Sequence, residues 1–303
     1  SLEGAFIFGD PAETVESAQR TLKWWRENIQ YKVNLNLITV YPGTPLYFDA
    51  FDKGIIKDKV QFLRDGCPQI KMCDMTDEEY GTLIREILEA PMTLPQGLAT
   101  VEVKYVDYKR GRMGVAGTCT QCRTRNQWDN LKLLSSSFMG CEKCGQRYNV
   151  VQPPELIENI DRNLTKLLNK YGKIGIWGIN YHVTNLIRKS KVLLNNDDNI
   201  FFIDSSKSKQ LMDLFGKPVH SPDIIDAEQL KAVVIPIPVY YNEIEMRAFS
   251  FYDSVEQTID VMKLTDPEYI LPFLSNRPAW ALVLDHTATE LRDRTNQSTL
   301  IEF

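Results

Sequence analysis

Residues 5–47 read AFIFGDPAETVESAQRTLKWWRENIQYKVNLNLITVYPGTPLY, a pattern of strand, turn, helix, strand and turn. Ala5-Phe6-Ile7-Phe8 is a short apolar run, the signature of a strand covered on both faces of a parallel sheet. Gly9-Asp10-Pro11 stops it, and Pro11 suits a first helical turn, where no backbone N–H is needed. Val15, Ala18, Leu22, Trp25 and Ile29 recur at three- and four-residue steps and predict one apolar helix face. Val33, Leu35, Leu37, Thr39 and Val40 predict the next strand, which runs into Tyr41-Pro42-Gly43-Thr44-Pro45. The unit is βαβ. Each strand ends in an unusual turn at its carboxyl end, where parallel sheets hold ligands.

The 303 residues allow two or three domains and a sizeable core, and 43% apolar with 25% charged residues describes an ordinary globular chain. A net charge of −5 argues against bulk electrostatic binding to nucleic acid or an acidic membrane. No apolar run reaches the roughly 20 residues of a membrane span, and no signal peptide precedes the first strand, so a cytoplasmic protein is expected. Six cysteines, four of them in two Cys-x2-Cys pairs, suit metal binding in a reducing compartment better than disulfides.

Those pairs are Cys119/Cys122 and Cys141/Cys144, eighteen residues apart. Each is a tight knuckle whose backbone N–H groups can point at the sulfurs, and four thiolates suit tetrahedral Zn²⁺. Gly145 provides the turn for the second knuckle, and the intervening residues are enough for a hairpin. A structural zinc ribbon is expected, since four cysteines leave no open position for water or substrate; rubredoxin-type iron accepts the same ligands. Around it, between Lys104 and Arg147, nine Lys/Arg face three Asp/Glu. A solvated surface explains this excess more simply than a nucleic-acid face. Upstream, Thr76 and Glu79 form a capping box for a helix whose core face carries Tyr80, Leu83, Ile84, Ile87 and Leu88. Cys67 and Cys73 lie in a connecting stretch and read as incidental or buried thiols.

After Pro153-Pro154, Leu156, Ile160, Leu164, Leu167 and Leu168 mark an amphipathic helix that stops near Gly172. A second α/β unit follows. Strands are predicted at residues 173–177, 200–204, 218–220 and 232–237, with helices over 182–194, 207–215 and within 243–262. This alternation implies a Rossmann-like parallel sheet. Its phosphate loop departs from G-x-G-x-x-G: only Gly178 is present, Asn180 narrows the approach to a pyrophosphate, and Val183 crowds the helix. A small-molecule, partial-nucleotide or purely structural site is expected at Gly178, Asn180, His182 and Asp204, with Asp204 where a ribose-binding acid would stand. An NAD-dependent oxidoreductase fails on the missing glycines. Residues 281–284 could add a strand, and 295–303 read as a loose tail.

Two stretches carry resemblances. Phe6-Ile7-Phe8-Gly9-Asp10-Pro11-Ala12-Glu13-Thr14, followed by Tyr41-Pro42-Gly43-Thr44-Pro45-Leu46-Tyr47, resembles the second half of a radical S-adenosylmethionine (SAM) barrel. It is most similar to the cobalamin-dependent (B12-type) group that includes the anaerobic magnesium-protoporphyrin IX monomethyl ester cyclase. The resemblance implies that Ile7, Gly9 and Glu13 lie against SAM, that Tyr41 and Gly43 close the neighbouring strand, and that reductive SAM cleavage drives radical or methyl-transfer chemistry. It also implies a [4Fe–4S] cluster on a Cys-x3-Cys-x2-Cys loop, with cobalamin as an optional cofactor. This chain has no such loop. The resemblance spans about the first ninety residues and implies entry in mid-barrel, in keeping with Ser1 in place of Met. The missing N-terminal barrel half is then a partner, beside a small-molecule substrate, and the chain alone is expected to be inactive. The stretch containing IWGIN resembles, loosely, the C-terminal domain appended to some C-methyltransferases.

The expected organisation is α/β throughout: a partial radical SAM (β/α) barrel over 1–98, a four-cysteine zinc ribbon over 99–152, a Rossmann-like three-layer domain over 153–275 and a tail over 276–303. The alternative is a non-catalytic zinc-ribbon and Rossmann-like module that binds a small molecule, nucleotide or partner.

Overall fold

A computed structural model describes residues 4–31, 33–93, 97–134, 138–195, 198–251 and 254–277. The strand expected at 281–284 and the tail at 295–303 lie outside them. The chain is mixed α/β with several separate sheets.

The front unit is β1 (Gly4–Phe8), α1 (Val15–Glu27) and β2 (Val33–Leu37), with β1 and β2 paired in parallel, Phe8 opposite Leu37. α1 starts at Val15, four residues beyond Pro11, because Thr14 and Ser17 form a reciprocal capping box. It ends at Glu27, so Ile29 falls in a 3₁₀ turn and not on the helix face. β2 stops at Leu37, short of the predicted Thr39 and Val40, although Ile38 N still donates to Phe8 O at 2.8 Å. Then follow α2 (Pro45–Asp52), capped by Thr44, α3 (Lys59–Arg64), and α4 (Asp77–Glu89) with its Thr76/Glu79 capping box in place.

β1 is not covered on both faces. Phe8 is buried in the same cluster as Leu22 and Leu83, whereas Ile7 is 60% exposed. The bond from Ile38 N to Phe8 O fixes which groups point where. In β2, residues 34 and 36 face β1, so the N–H and C=O groups of Val33, Leu35 and Leu37 lie on the outer edge. Trp25 Nε1 donates to Val33 O at 2.7 Å; Leu35 and Leu37 have no partner there among the described residues. By the same alternation Ala5 and Ile7 face the outer edge of β1. Among the described residues no further strand pairs with either edge.

The middle section has β3 (Thr100–Asp107), β4 (Arg112–Thr118) and β5 (Arg125–Lys132) in one antiparallel sheet, and β6 (Phe138–Gly140) paired with β7 (Arg147–Asn149). Trp128 Nε1 donates to Gly140 O at 2.9 Å and ties the two sheets together.

The last section begins with α5 (Pro154–Tyr171), β8 (Ile174–Trp177), α6 (Tyr181–Lys189), α7 (Lys191–Asn195) and β9 (Ile200–Ile203). It continues through β10 (Asp213–Leu214), β11 (Lys217–His220), α8 (Ile224–Ala227), β12 (Ala232–Ile235), α9 (Tyr241–Ala248), β13 (Gln257–Asp260) and α10 (Val261–Leu264). The sheet order is β10-β11-β9-β8-β12-β13; five strands are parallel, and β10 is antiparallel to β11 at one edge. Three predictions change here. The helix over 207–215 is a short 3₁₀ turn at Lys209–Leu211 running into β10, because Asp204 and Ser206 bind this segment back onto the sheet. Helix 182–194 breaks at Ser190, whose hydroxyl bonds the Asp161 carboxylate and caps the next turn. β13, which the sequence reading absorbs into helix, forms the other edge.

Alternation along the strands fills two layers. Ile174, Ile176, Phe202 and Val234 face α5 and α6, while Trp177, Ile203, Val233 and Ile235 face α8 and α9. The first layer is continuous with the packing of Phe8, Val115 and Tyr148, so one core runs through all three expected domains.

Candidate functional site

Two hairpin turns build the metal-ligating group. Cys119 and Cys122 sit in the β4–β5 connection, Cys141 and Cys144 in the β6–β7 connection. Both turns have the same backbone scheme. Cys119 N bonds Thr124 O and Arg123 N bonds Cys119 O; Cys141 N bonds Gln146 O and Gly145 N bonds Cys141 O. Residues one past each second cysteine take positive φ, Arg123 at 61° and Gly145 at 76°. The glycine was legible in the sequence. The arginine was not, since a residue with a Cβ is uncommon in that backbone region.

All four Sγ atoms lie within 4.8 Å of one another, with Cys119–Cys144 at 3.6 Å and Cys122–Cys141 at 3.5 Å. A tetrahedron with metal–sulfur bonds of about 2.3 Å has edges of about 3.8 Å, so the four thiols could hold a metal ion such as zinc. Polar groups orient the sulfurs. Tyr148 Oη lies 3.1 Å from Cys119 Sγ and accepts from Thr120 N at 3.0 Å. Asn126, buried between the turns, places Nδ2 3.6 Å from Cys141 Sγ while its Oδ1 accepts from Glu142 N at 3.0 Å. Loss of solvent raises the Cys119 thiol, but hydrogen bonds from Tyr148 and Cys122 N outweigh it and hold the group at about 6. Cys144 receives a backbone hydrogen bond from Gln146, yet solvent loss and three neighbouring sulfurs carry it up to about 12. Convergent thiols resist full ionisation without a cation. Cys67 and Cys73 stand apart, Cys67 half-buried and Cys73 in the core with its thiol raised by burial.

At the front unit, Gly9 and Gly43 follow neighbouring strands with φ of +91° and +82°. Gly9 also packs closely: a Cβ there would meet Tyr80 Oη at 2.8 Å. Glu13 accepts from Gly9 N at 2.5 Å and closes the first turn; burial raises its carboxyl above the usual range despite that bond. Tyr41 is 64% exposed, and open space surrounds the missing side chain of Gly43. Ile7, Gly9, Tyr41 and Gly43 thus sit along and just past one pair of strands.

The four residues expected to form a site in the last section divide. Gly178 and Asp204 line a crevice at the carboxyl ends of β8 and β9. Asn180 and His182 line a different groove of about 370 Å³, with Asn34, Leu35 and Asn36 of β2 and Phe138. Asn180 acts as the N-cap of α6, its Oδ1 accepting from Val183 N at 3.0 Å. Burial, with Lys132 nearby, lowers His182 to about 4, so its imidazole is neutral at pH 7. Asp204 is taken up internally: Oδ2 accepts from Ile179 N at 2.8 Å and Lys209 Nζ at 3.0 Å, and Oδ1 from Ser206 N at 2.8 Å. A Cβ on Gly178 would meet Ile237 Cδ1 at 2.7 Å, so this glycine serves packing against the strand-end segment after β12.

The crevice has walls that the sequence reading missed. Its two lobes, about 550 and 310 Å³, share Asp65, Pro68, Trp177, Ser205 and Arg247. Asp-Ser-Ser after a strand was the only local signal. Asp65 and Arg247 carry none, because a loop of the front section and α9 bring them in. Comparison of the chain with protein-family models, curated proteins and solved structures finds no match.

Proposed function

We propose that the chain is a segment of a radical SAM enzyme, in which β1 and β2 form part of a barrel wall beside SAM. The four-cysteine ribbon holds structural Zn²⁺, and the last section is a Rossmann-like, doubly wound accessory domain. The observation that carries the reading is the parallel pair β1–β2, joined by no further strand among the described residues, with exposed Ile7 on a strand whose sequence is apolar. Lone parallel pairs are rarely stable, and parallel strands normally lie covered on both faces. Further barrel strands would bury Ile7 and pair Ala5. Ile7, Gly9, Glu13, Tyr41 and Gly43 would then line the SAM side, and the cluster, when bound elsewhere in the wall, supplies the electron for SAM cleavage. The reading frame preceding residue 1 tests this: a Cys-x3-Cys-x2-Cys loop is expected there, and a frame without one refutes the proposal.

A second reading is favoured by one observation of its own. The strand order, third-second-first-fourth-fifth in chain order for the parallel strands, reverses between β8 and β12, and such reversal points open a crevice for ligands. Here the last section is a binding module for a small molecule. Melting curves with SAM and with nucleosides or sugars separate the two: stabilisation by the latter alone favours the module.

A further inference from the structure

We propose that the crevice at the carboxyl edge of the six-stranded sheet binds a neutral ligand through a vicinal diol, the recognition chemistry of a sugar or of the ribose of a nucleoside. The proposal rests on the reading of this section as a small-molecule module and names the class of ligand.

The larger lobe, about 550 Å³, falls within the roughly 300–1,000 Å³ of small-molecule sites. Its charges disfavour phosphates. Asp65, Asp204, Asp223 and Glu243 face Lys207, Lys209 and Arg247 across the two lobes. Asp204 pairs with Lys209 at 3.0 Å and Glu243 with Arg247 at 4.0 Å, which leaves Asp65 and Asp223 against Lys207. Ile237 packs over Gly178, and Asn180 closes the first turn of α6, so the glycine-lined path of a pyrophosphate is filled.

What remains suits hydroxyl groups. Asp65 Oδ1 accepts from Gln61 Nε2 at 2.8 Å and Asp223 Oδ2 from Ser221 Oγ at 3.1 Å, so each keeps one carboxylate oxygen without a protein partner among the described residues. A carboxylate is the acceptor of choice for adjacent hydroxyls. Ser206 supplies an independent pointer. It lines the smaller lobe, is 7% exposed, and its Oγ has no hydrogen-bond partner among the described residues. A buried hydroxyl left unpaired is costly, and a ligand oxygen in the lobe would give it a partner. Trp177 and Phe251, ring centroids 6.2 Å apart, give the larger lobe an apolar wall for a sugar ring or base.

Calorimetric titration of the full chain with adenosine, 2′,3′-dideoxyadenosine, methyl α-D-glucoside and NAD⁺ tests the proposal. Saturable binding of adenosine or of the glucoside is expected, the pair telling a nucleoside source from a sugar source. The dideoxy compound should bind at least about tenfold more weakly than adenosine if adenosine is the binder. Ser206→Ala and Asp65→Asn should each weaken binding about tenfold, the loss of one hydrogen bond, while the unliganded melting temperature of Ser206→Ala rises, because the unpaired hydroxyl is gone. Tight binding of NAD⁺, or equal binding of the dideoxy compound, overturns the diol proposal and leaves the crevice a ligand site. No heat with any of the four overturns both.

Discussion

Asn126 illustrates how much one side chain carries in the metal group. It touches Cys141 Sγ with one end and holds the second knuckle through Glu142 N with the other. Asn126→Ala should lower Zn²⁺ affinity roughly 10- to 100-fold, the usual effect of removing a group that orients a ligand. Competition with a chromophoric chelator measures it, and unchanged affinity refutes the role. His182 predicts a pH effect. Its folded pKa of about 4 lies below the unfolded 6.5, so the unfolded chain binds more protons between those values. The stability this imidazole contributes is complete above pH 6.5 and is lost as pH falls toward 4, to about 3 kcal/mol at full protonation. His182→Gln should flatten the slope of urea-unfolding free energy in that window. A slope unchanged by the substitution contradicts the buried neutral imidazole.

Among the elements, α4 is the seam between front and last sections. Gly81 lies so close to the 3₁₀ turn that a Cβ would sit 2.2 Å from Leu211 O, and Arg85 pairs with Asp213 at 2.7 Å. Backbone cannot yield as a side-chain tip can. Gly81→Ala should therefore cost on the order of 2 kcal/mol despite alanine's better helix propensity, read as a shift of the urea midpoint. A stabilised variant would show that the helix does not pack there. α5 carries a polar ladder within its apolar face: Asn163 Nδ2 donates to Leu264 O at 3.0 Å and Asp266 O at 2.9 Å, and Asn159 Nδ2 to Thr265 O at 3.1 Å. These amides cap the chain after α10. Asn163→Leu leaves two carbonyls without their donor and should cost about 2–4 kcal/mol by the same measurement. At the edge of the sheet, Asn276 imitates a strand, its amide accepting from Thr258 N and donating to Thr258 O, both at 3.0 Å. This covers an edge that would otherwise invite pairing.

For the molecule as a whole, the shared core decides cooperativity. Cys119, Cys141 and Tyr148 belong to the same packed cluster as Leu156, Leu164 and Val234. Zinc bound at the four cysteines should thus raise the melting temperature of the entire chain in one transition, because the packing around them supports its neighbours. Scanning calorimetry with and without chelator reads it, and two separate transitions, with the later one unmoved, would show independent domains. The lack of a Cys-x3-Cys-x2-Cys spacing in this sequence gives the second expectation at this scale. Reconstitution with iron, sulfide and SAM should yield no [4Fe–4S] absorbance, and a stable, reducible cluster would contradict the barrel reading.

Composition and spacing alone determined the local units: the cysteine knuckles, the Thr76 cap, the apolar faces of α1 and α5, and the strands β8, β9, β11 and β12. Each depends on neighbours within a few residues, so the chain's own pattern specifies it. The tertiary structure decided what lies between units. Asp204 braces Ile179 N across 25 residues, Gly178 and His182 parted into separate clefts, and Asp65 and Arg247 met at one crevice. Those outcomes depend on contacts across tens to more than a hundred residues, where packing, and not periodicity, selects the partner.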